Sequence, residues 1–161
     1  MRTPILSERP VVVITGASGG IGAALARRVA PTHALSLVAR RHAELTHVGE
    51  QQTASTGTPV LTICADVTSR AEVQRIVRET LARFGRIDAW VNNVGQGITR
   101  MPSELTDDDI DDMMRINVKS ALYGMQEILP HFQAVGRGHV VNVSSMLGRA
   151  PFALQRSAYS A

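Results

Sequence analysis

Between Thr15 and Gly22 the chain reads Thr-Gly-Ala-Ser-Gly-Gly-Ile-Gly, directly after the run Val11-Val12-Val13-Ile14. A short, continuous β-branched run suits a strand covered on both faces. The glycines then end it. Gly16 permits a tight turn, Gly20 has no side chain to keep a phosphate off the backbone, and Gly22 lets the next helix lie close to a sheet. A helix opening at such a turn offers its first amides and the positive end of its dipole to an anion. The spacing is G-x-x-x-G-x-G rather than the commoner G-x-G-x-x-G. The strand before it and the helical pattern after it favour dinucleotide binding over a plain strand-to-helix turn.

The same alternation continues. Helical segments are predicted at 21–30, 42–55, 70–84 and 107–132, the last bent near Pro130, and further strands at 34–39, 59–64, 87–91 and 138–143. In 70–84 the apolar Val73, Ile76, Val77 and Leu81 recur at helical spacing, and Gly85 stops the helix. Strand and helix in alternation imply a parallel sheet with right-handed crossovers. The expected fold is α/β: a Rossmann-like, doubly wound sheet of order 3-2-1-4-5, truncated before the last strands, with residues 1–161 forming one incomplete domain. Ligands in such sheets bind at the C-terminal strand ends beside the switch between strands 1 and 4.

Composition removes other classes. No segment approaches the roughly 20 apolar residues that span a bilayer, and the first ten residues do not read as a secretory signal. The net charge is +3. The arginines are dispersed, however, and aromatics are 4% of the chain, too few for base-stacking platforms. Neither nucleic acid nor membrane is an expected partner. The one cysteine, Cys64, excludes an internal disulfide and fits a cytoplasmic location; its apolar neighbours predict a buried thiol. His33, His42, His47, His131 and His139 lack metal-ligand spacing. Thr106 followed by Asp107, Asp108 and Asp109 reads as a capping box rather than a calcium loop. Trp90, Met113 and Met114 read as core or interface residues.

The Thr-Gly-x-x-x-Gly-x-Gly turn resembles the cofactor signature of the short-chain dehydrogenase/reductase family, and the resemblance extends over nearly the whole chain. It implies a cofactor turn formed by Gly16, Ser18, Gly20, Ile21 and Gly22. At the end of strand 2, where an acidic residue binds the ribose 2′-hydroxyl of NAD, the chain has Val38-Ala39-Arg40-Arg41. Arg40 can pair bidentately with a 2′-phosphate, Arg41 adds charge, and Ser18 can add a hydroxyl. The expected cofactor is therefore NADP(H) in preference to NAD(H). Solvated arginines at a helix start are the alternative, but they would oppose the dipole.

Further matches carry further roles by resemblance. Asp66-Val67 follows strand 3, where the family's aspartate accepts from the adenine amino group; a turn or helix cap is the competing reading. Asn92-Asn93-Val94-Gly95 resembles the family's Asn-Asn-Ala-Gly, in which Asn93 would tie neighbouring strands and Gly95 would leave room for the adenine ribose. Asn117, within Ile116-Asn117-Val118, matches a helix asparagine whose backbone carbonyl holds a water in a proton relay. Asn142-Val143-Ser144-Ser145-Met146-Leu147-Gly148 matches Asn-x-Ser-Ser-x-x-Gly, making Ser145 the catalytic serine, and Tyr159 occupies the position of the family's catalytic tyrosine.

These matches imply hydride transfer between a nicotinamide and a small carbonyl or alcohol. Ser145 would bind the substrate oxygen and Tyr159 would give or take its proton. A free tyrosine titrates near pH ~10, so nearby positive charge is needed. The family supplies it from a lysine four residues on, which here is position 163, beyond Ala161. Lys119 is the sole lysine and belongs to another helix. The chain is thus expected to be the N-terminal portion of an enzyme, inactive alone. A catalytically inactive nucleotide-binding or interaction module is the alternative. A full-length form is expected to be a homo-oligomer. Met101, Leu147 and Phe152 hint at an apolar substrate lining.

Overall fold

A computed structural model describes residues 7–150 and 154–160 of the chain. Strands β1 (Val11–Thr15), β2 (Ala34–Ala39), β3 (Val60–Cys64), β4 (Ala89–Asn92) and β5 (His139–Asn142) form one sheet ordered β3-β2-β1-β4-β5. Every neighbouring pair is parallel. The intervening helices are α1 (Gly20–Val29), α2 (His42–Thr56), α3 (Arg70–Phe84), α4 (Asp107–Met113) and α5 (Ser120–Val135), followed by the short α6 (Ser157–Ser160). This is the doubly wound, Rossmann-like architecture that the alternating sequence predicts. Among the described residues, no helix is long and apolar enough to cross a membrane.

Period-two alternation divides the central strands between two helical layers. Val12 and Ile14 of β1 join Leu35 and Leu37 of β2 under α1 and α2, against Ala23, Ala26, Leu45 and Val48. Val13 and Val38 face the other way, with Ile63 and Trp90, against Val73 and Ile76 of α3 and Ile128 and Phe132 of α5. All five residues of β1 and all six of β2 are buried, as strands covered on both faces require. Ser36, fully buried in β2, is satisfied by the Thr80 hydroxyl of α3 at 2.8 Å.

Two sequence expectations need correction. The segment 107–132 is not a single helix bent at Pro130. A π-helical run, Met114–Lys119, separates α4 from α5, and α5 continues past Pro130 to Val135. Pro130 lies on the exposed side of α5, where the missing amide bond is more easily met by water. Cys64 is exposed rather than buried. Ile63 and Ala65 do enter the core. Cys64 alternates away from them at the end of an edge strand, and its thiol lies 3.3 Å from the Arg40 carbonyl. Phe152 lies outside the described residues.

Candidate functional site

The glycine turn emerges from β1 with Gly16 at φ +69°, a left-handed conformation that favours glycine. Any side chain there would also stand 2.9 Å from Asn93 Nδ2. At Gly22, on the first turn of α1, an added methyl would overlap the Gly16 carbonyl and reach within 2.8 Å of Asn93 Nδ2. Helix and turn can nest this closely only without a side chain at that position. Gly20 differs: its Cβ position is open, with no atom within 4 Å. The N-terminus of α1 has no side-chain cap and no acidic residue in its first turn. Its leading amides are available to an anion. Ile21, next to them, is 64% exposed although it is a large apolar residue.

Asn93 fixes this turn from the other side of the crevice. Its side-chain amide donates to the carbonyls of Thr15 (3.0 Å) and Gly16 (3.3 Å). Its backbone amide donates to Thr15 Oγ1 at 3.0 Å, and that hydroxyl donates to the Val91 carbonyl at 3.1 Å. The C-terminal ends of β1 and β4 are thereby joined at the topological switch point, where open α/β sheets bind ligands.

A cleft of about 250 Å³ opens there. Gly16 and Ser18 line one wall, Arg40 and Arg41 the end of β2, Asp66 and Val67 the end of β3, and Asn93 and Gly95 the end of β4. The sequence-predicted cofactor residues other than Gly20, Ile21 and Gly22 thus share one cavity. Those three form the turn and helix start beside it. Arg41 Nη2 donates to Ser18 Oγ at 3.1 Å, linking the β2 end to the glycine turn. Arg40 Nη1 lies 3.9 Å from Asp66 Oδ2. Asp66 does not cap α3, whose cap position is Ser69. Instead its Oδ1 accepts from the Thr68 amide (2.9 Å) and hydroxyl (2.8 Å). Burial alone would favour the neutral acid at Asp66. The Thr68 bonds, with Arg40 and Arg115 nearby, outweigh it and hold the carboxyl below its usual range.

Asn117 lies in the π-helical run, a local geometry found disproportionately at functional sites. Its side chain clamps Gln96, just after Gly95: Oδ1 accepts from the Gln96 amide at 2.8 Å and Nδ2 donates to the Gln96 carbonyl at 2.9 Å. Ser145 follows β5 and caps the 3₁₀ turn Met146–Gly148, with its Oγ accepting from the Leu147 amide at 3.2 Å. Tyr159 lies on α6, which packs against that 3₁₀ turn and against α4. The Tyr159 ring lies beside Gly97, where a Cβ would stand 3.8 Å from the ring. The segments bearing Ser145 and Tyr159 therefore meet at the same end of the sheet as the cleft. No signal in the sequence singles out Arg115, and Thr68 stands out only as a residue suited to a helix cap or turn. Arg115 reaches from the π-helical run to donate to Thr68 Oγ1 at 3.0 Å, and Thr68 in turn donates to Asp66. Only spatial proximity, across 47 residues of sequence, reveals this link.

A glycine turn locked under such a crevice defines an α/β protein of the dinucleotide-binding kind. Comparison with known proteins narrows the class. The family model for short chain dehydrogenase matches residues 10–161. An uncharacterised oxidoreductase of Staphylococcus epidermidis is 32% identical over 145 residues, covering 89% of this chain and 61% of that protein. The structure of L-sorbose reductase from Gluconobacter frateurii, complexed with NADPH and L-sorbose, superposes with a TM-score of 0.89 at 27% identity, covering 98% of this chain and 60% of the other. NAD+-bound xylitol dehydrogenase superposes equally well, at 0.89 and 29% identity, with 94% and 58% covered. The chain belongs to the short-chain dehydrogenase family. It spans about three fifths of the length of these relatives.

Proposed function

We propose that the chain is the cofactor-binding portion of an NADP(H)-dependent short-chain oxidoreductase that interconverts a small carbonyl compound and its alcohol. The observation that carries this reading is the arrangement at the end of β2. Arg40 and Arg41 line the cleft together with Ser18, and Ala39 stands where a carboxylate would be needed to bind a ribose 2′-hydroxyl. Cations without a competing acid at Ala39 suit a 2′-phosphate. The open Gly20 position and uncapped α1 terminus suit a pyrophosphate.

When bound, the nicotinamide supplies or accepts the hydride. The chain's own residues bind and orient. The turn Gly16–Gly22 holds the diphosphate, with Ile21 offering an apolar surface beside it. Asp66, Val67 and Gly95 surround the adenosine, and Asn93 keeps the two walls together. Ser145 accepts from the Leu147 amide, so its own hydrogen is free to bond the substrate oxygen. Tyr159 gives or takes the proton at that oxygen. The Asn117 backbone carbonyl holds a water in the proton path, while its side chain steadies Gln96. A homo-oligomeric whole protein is supported by the exposed Ile110, Met114, Val118, Leu122 and Leu129 along α4, the π-helical run and α5.

Calorimetric titration with NADPH and NADH tests the assignment. NADPH is expected to bind more tightly by about tenfold, the scale of a lost bidentate charge contact. Arg40→Gln should erase most of that difference. Equal affinities in the unaltered protein would overturn the NADP(H) preference, and binding of neither nucleotide would overturn the site.

A further inference from the structure

Arg40 and Asp66 face each other across the nucleotide end of the cleft, 3.9 Å apart, and both line it. Their side chains are 69% and 40% exposed, so a ligand can reach both. The two neighbouring arginines are engaged differently. Arg41 is drawn to the glycine turn through Ser18 (3.1 Å) and back to Glu44 (3.5 Å). Arg40 instead leans on a carboxylate. That carboxylate is held in place at its other oxygen, Oδ1, by the Thr68 amide and hydroxyl, and Arg115 donates to that same Thr68 hydroxyl.

We infer that Asp66 sets the strength of the cofactor preference by competing with the 2′-phosphate for Arg40. The inference rests on the proposed role of Arg40 as the phosphate clamp. A phosphate arriving at Arg40 must share the guanidinium with Asp66 and is repelled by its negative charge. A ribose 2′-hydroxyl meets neither penalty. Any contact of Asp66 with the adenine is common to both cofactors and cancels in the ratio of their affinities. Asp66 therefore weakens NADPH binding selectively. Arg115 moderates this effect, because it neutralises part of Asp66 from outside the cleft and leaves Arg40 more available. The preference is set by a chain of four groups, Arg115, Thr68, Asp66 and Arg40, rather than by the arginine pair alone.

The test is the ratio of the NADH and NADPH dissociation constants, measured calorimetrically at fixed salt. Asp66→Asn keeps an acceptor for Thr68 while removing the charge. It should raise the preference for NADPH by about two- to fivefold, the range of partly exposed ion pairs. Asp66→Ser, a smaller acceptor, should act in the same direction. Arg115→Gln should lower the preference. In an Arg40→Gln background, Asp66→Asn should change the ratio much less. An unchanged or reduced preference in both Asp66 variants, with Arg40→Gln still abolishing it, overturns the inference alone and makes Asp66 a support for Arg40. An unaltered protein with no NADPH preference, indifferent to Arg40→Gln, overturns the clamp and the inference together. Circular dichroism melting confirms that each variant is folded.

Discussion

Asn93 bonds two successive carbonyls, those of Thr15 and Gly16, and so holds the mouth of the glycine turn against the end of β4. The pairing of β1 with β4 ends at Ile14, just before these carbonyls, and the side chain gives them the partner a continuing β4 would have provided. Asn93→Ala should cost about 1–3 kcal/mol of stability, the range for leaving partly buried acceptors unmet. It should also weaken nucleotide binding, because the turn loses its brace. Urea unfolding and calorimetric titration measure the two effects, and retention of both properties would show that the turn holds itself.

Gly22 and Gly20 should respond oppositely to a methyl group. Gly22→Ala drives a carbon into the Gly16 carbonyl and should cost about 1–3 kcal/mol of stability, as overpacking does. Gly20→Ala meets no protein atom and carries only the cost of φ +52°, about 1 kcal/mol. Its larger effect should fall on nucleotide affinity, because the space it fills is the space proposed for the diphosphate. Comparable losses of affinity per unit of lost stability in the two variants would contradict that division.

Gly124 of α5 sits over the side chains of Trp90 and Asn92. A Cβ there would come within 2.6 Å of the indole Nε1 and would overlap Asn92 Oδ1. Asn92 is already committed: it accepts from Trp90 Nε1 at 2.7 Å and donates to Asn142 Oδ1 at 2.8 Å and the Ala121 carbonyl at 3.2 Å. Gly124→Ala should destabilise the fold by about 1–3 kcal/mol and alter the emission of Trp90, the sole tryptophan. Unchanged fluorescence would mean that α5 shifts without disturbing this network.

Asp88 gives the fold part of its acid sensitivity. Burial opposes its charge, but the Arg86 guanidinium and the Val11 amide at 2.8 Å prevail, and its carboxyl lies below the usual range. A carboxyl depressed on folding adds stability above its unfolded pKa, near ~3.9. That contribution disappears as pH falls through the lower, folded value. Asp88→Asn should therefore lower stability at neutral pH and flatten its decline below about pH 4. Melting temperatures from pH 7 down to pH 2 provide the comparison; parallel curves would show that Asp88 is not a source of the acid response.

β5 forms an edge of the described sheet, with Val141 48% exposed and Val143, just past the strand, 38% exposed. Unprotected edges of this kind invite pairing between chains. The polypeptide of residues 1–161 is expected to associate through it, and Val141→Lys should reduce that association in light scattering or sedimentation. Equal association in the two proteins would direct attention to the apolar residues along α4 and α5.

The sheet and its order could be read from the sequence because β1 and β2 are nearly all apolar and the glycine turn separates strand from helix. Those signals are local and strong. That Gly16, Ser18, Arg40, Arg41, Asp66, Val67, Asn93 and Gly95 line one cleft was also legible, because each falls at or just past the C-terminal end of a strand whose position the alternation predicts. The π-helical run was not legible: its geometry depends on a hydrogen-bond register that side-chain type does not encode, so Pro130 attracted the bend instead. Cys64 misled because apolar neighbours signal burial only when both faces of the strand end are covered. Arg115 was invisible because its partner Thr68 comes near only when the π-helical run crosses the end of β3.

The paired bonds between Asn117 and Gln96 have a consequence for proton exchange with solvent. Gln96 is exposed and lies outside any helix or strand, the circumstances in which an amide normally trades its hydrogen for deuterium quickly. Its amide is nevertheless engaged by Asn117 Oδ1. This one position should exchange as slowly as the π-helical run that carries Asn117 allows, an island of retained label between fast neighbours.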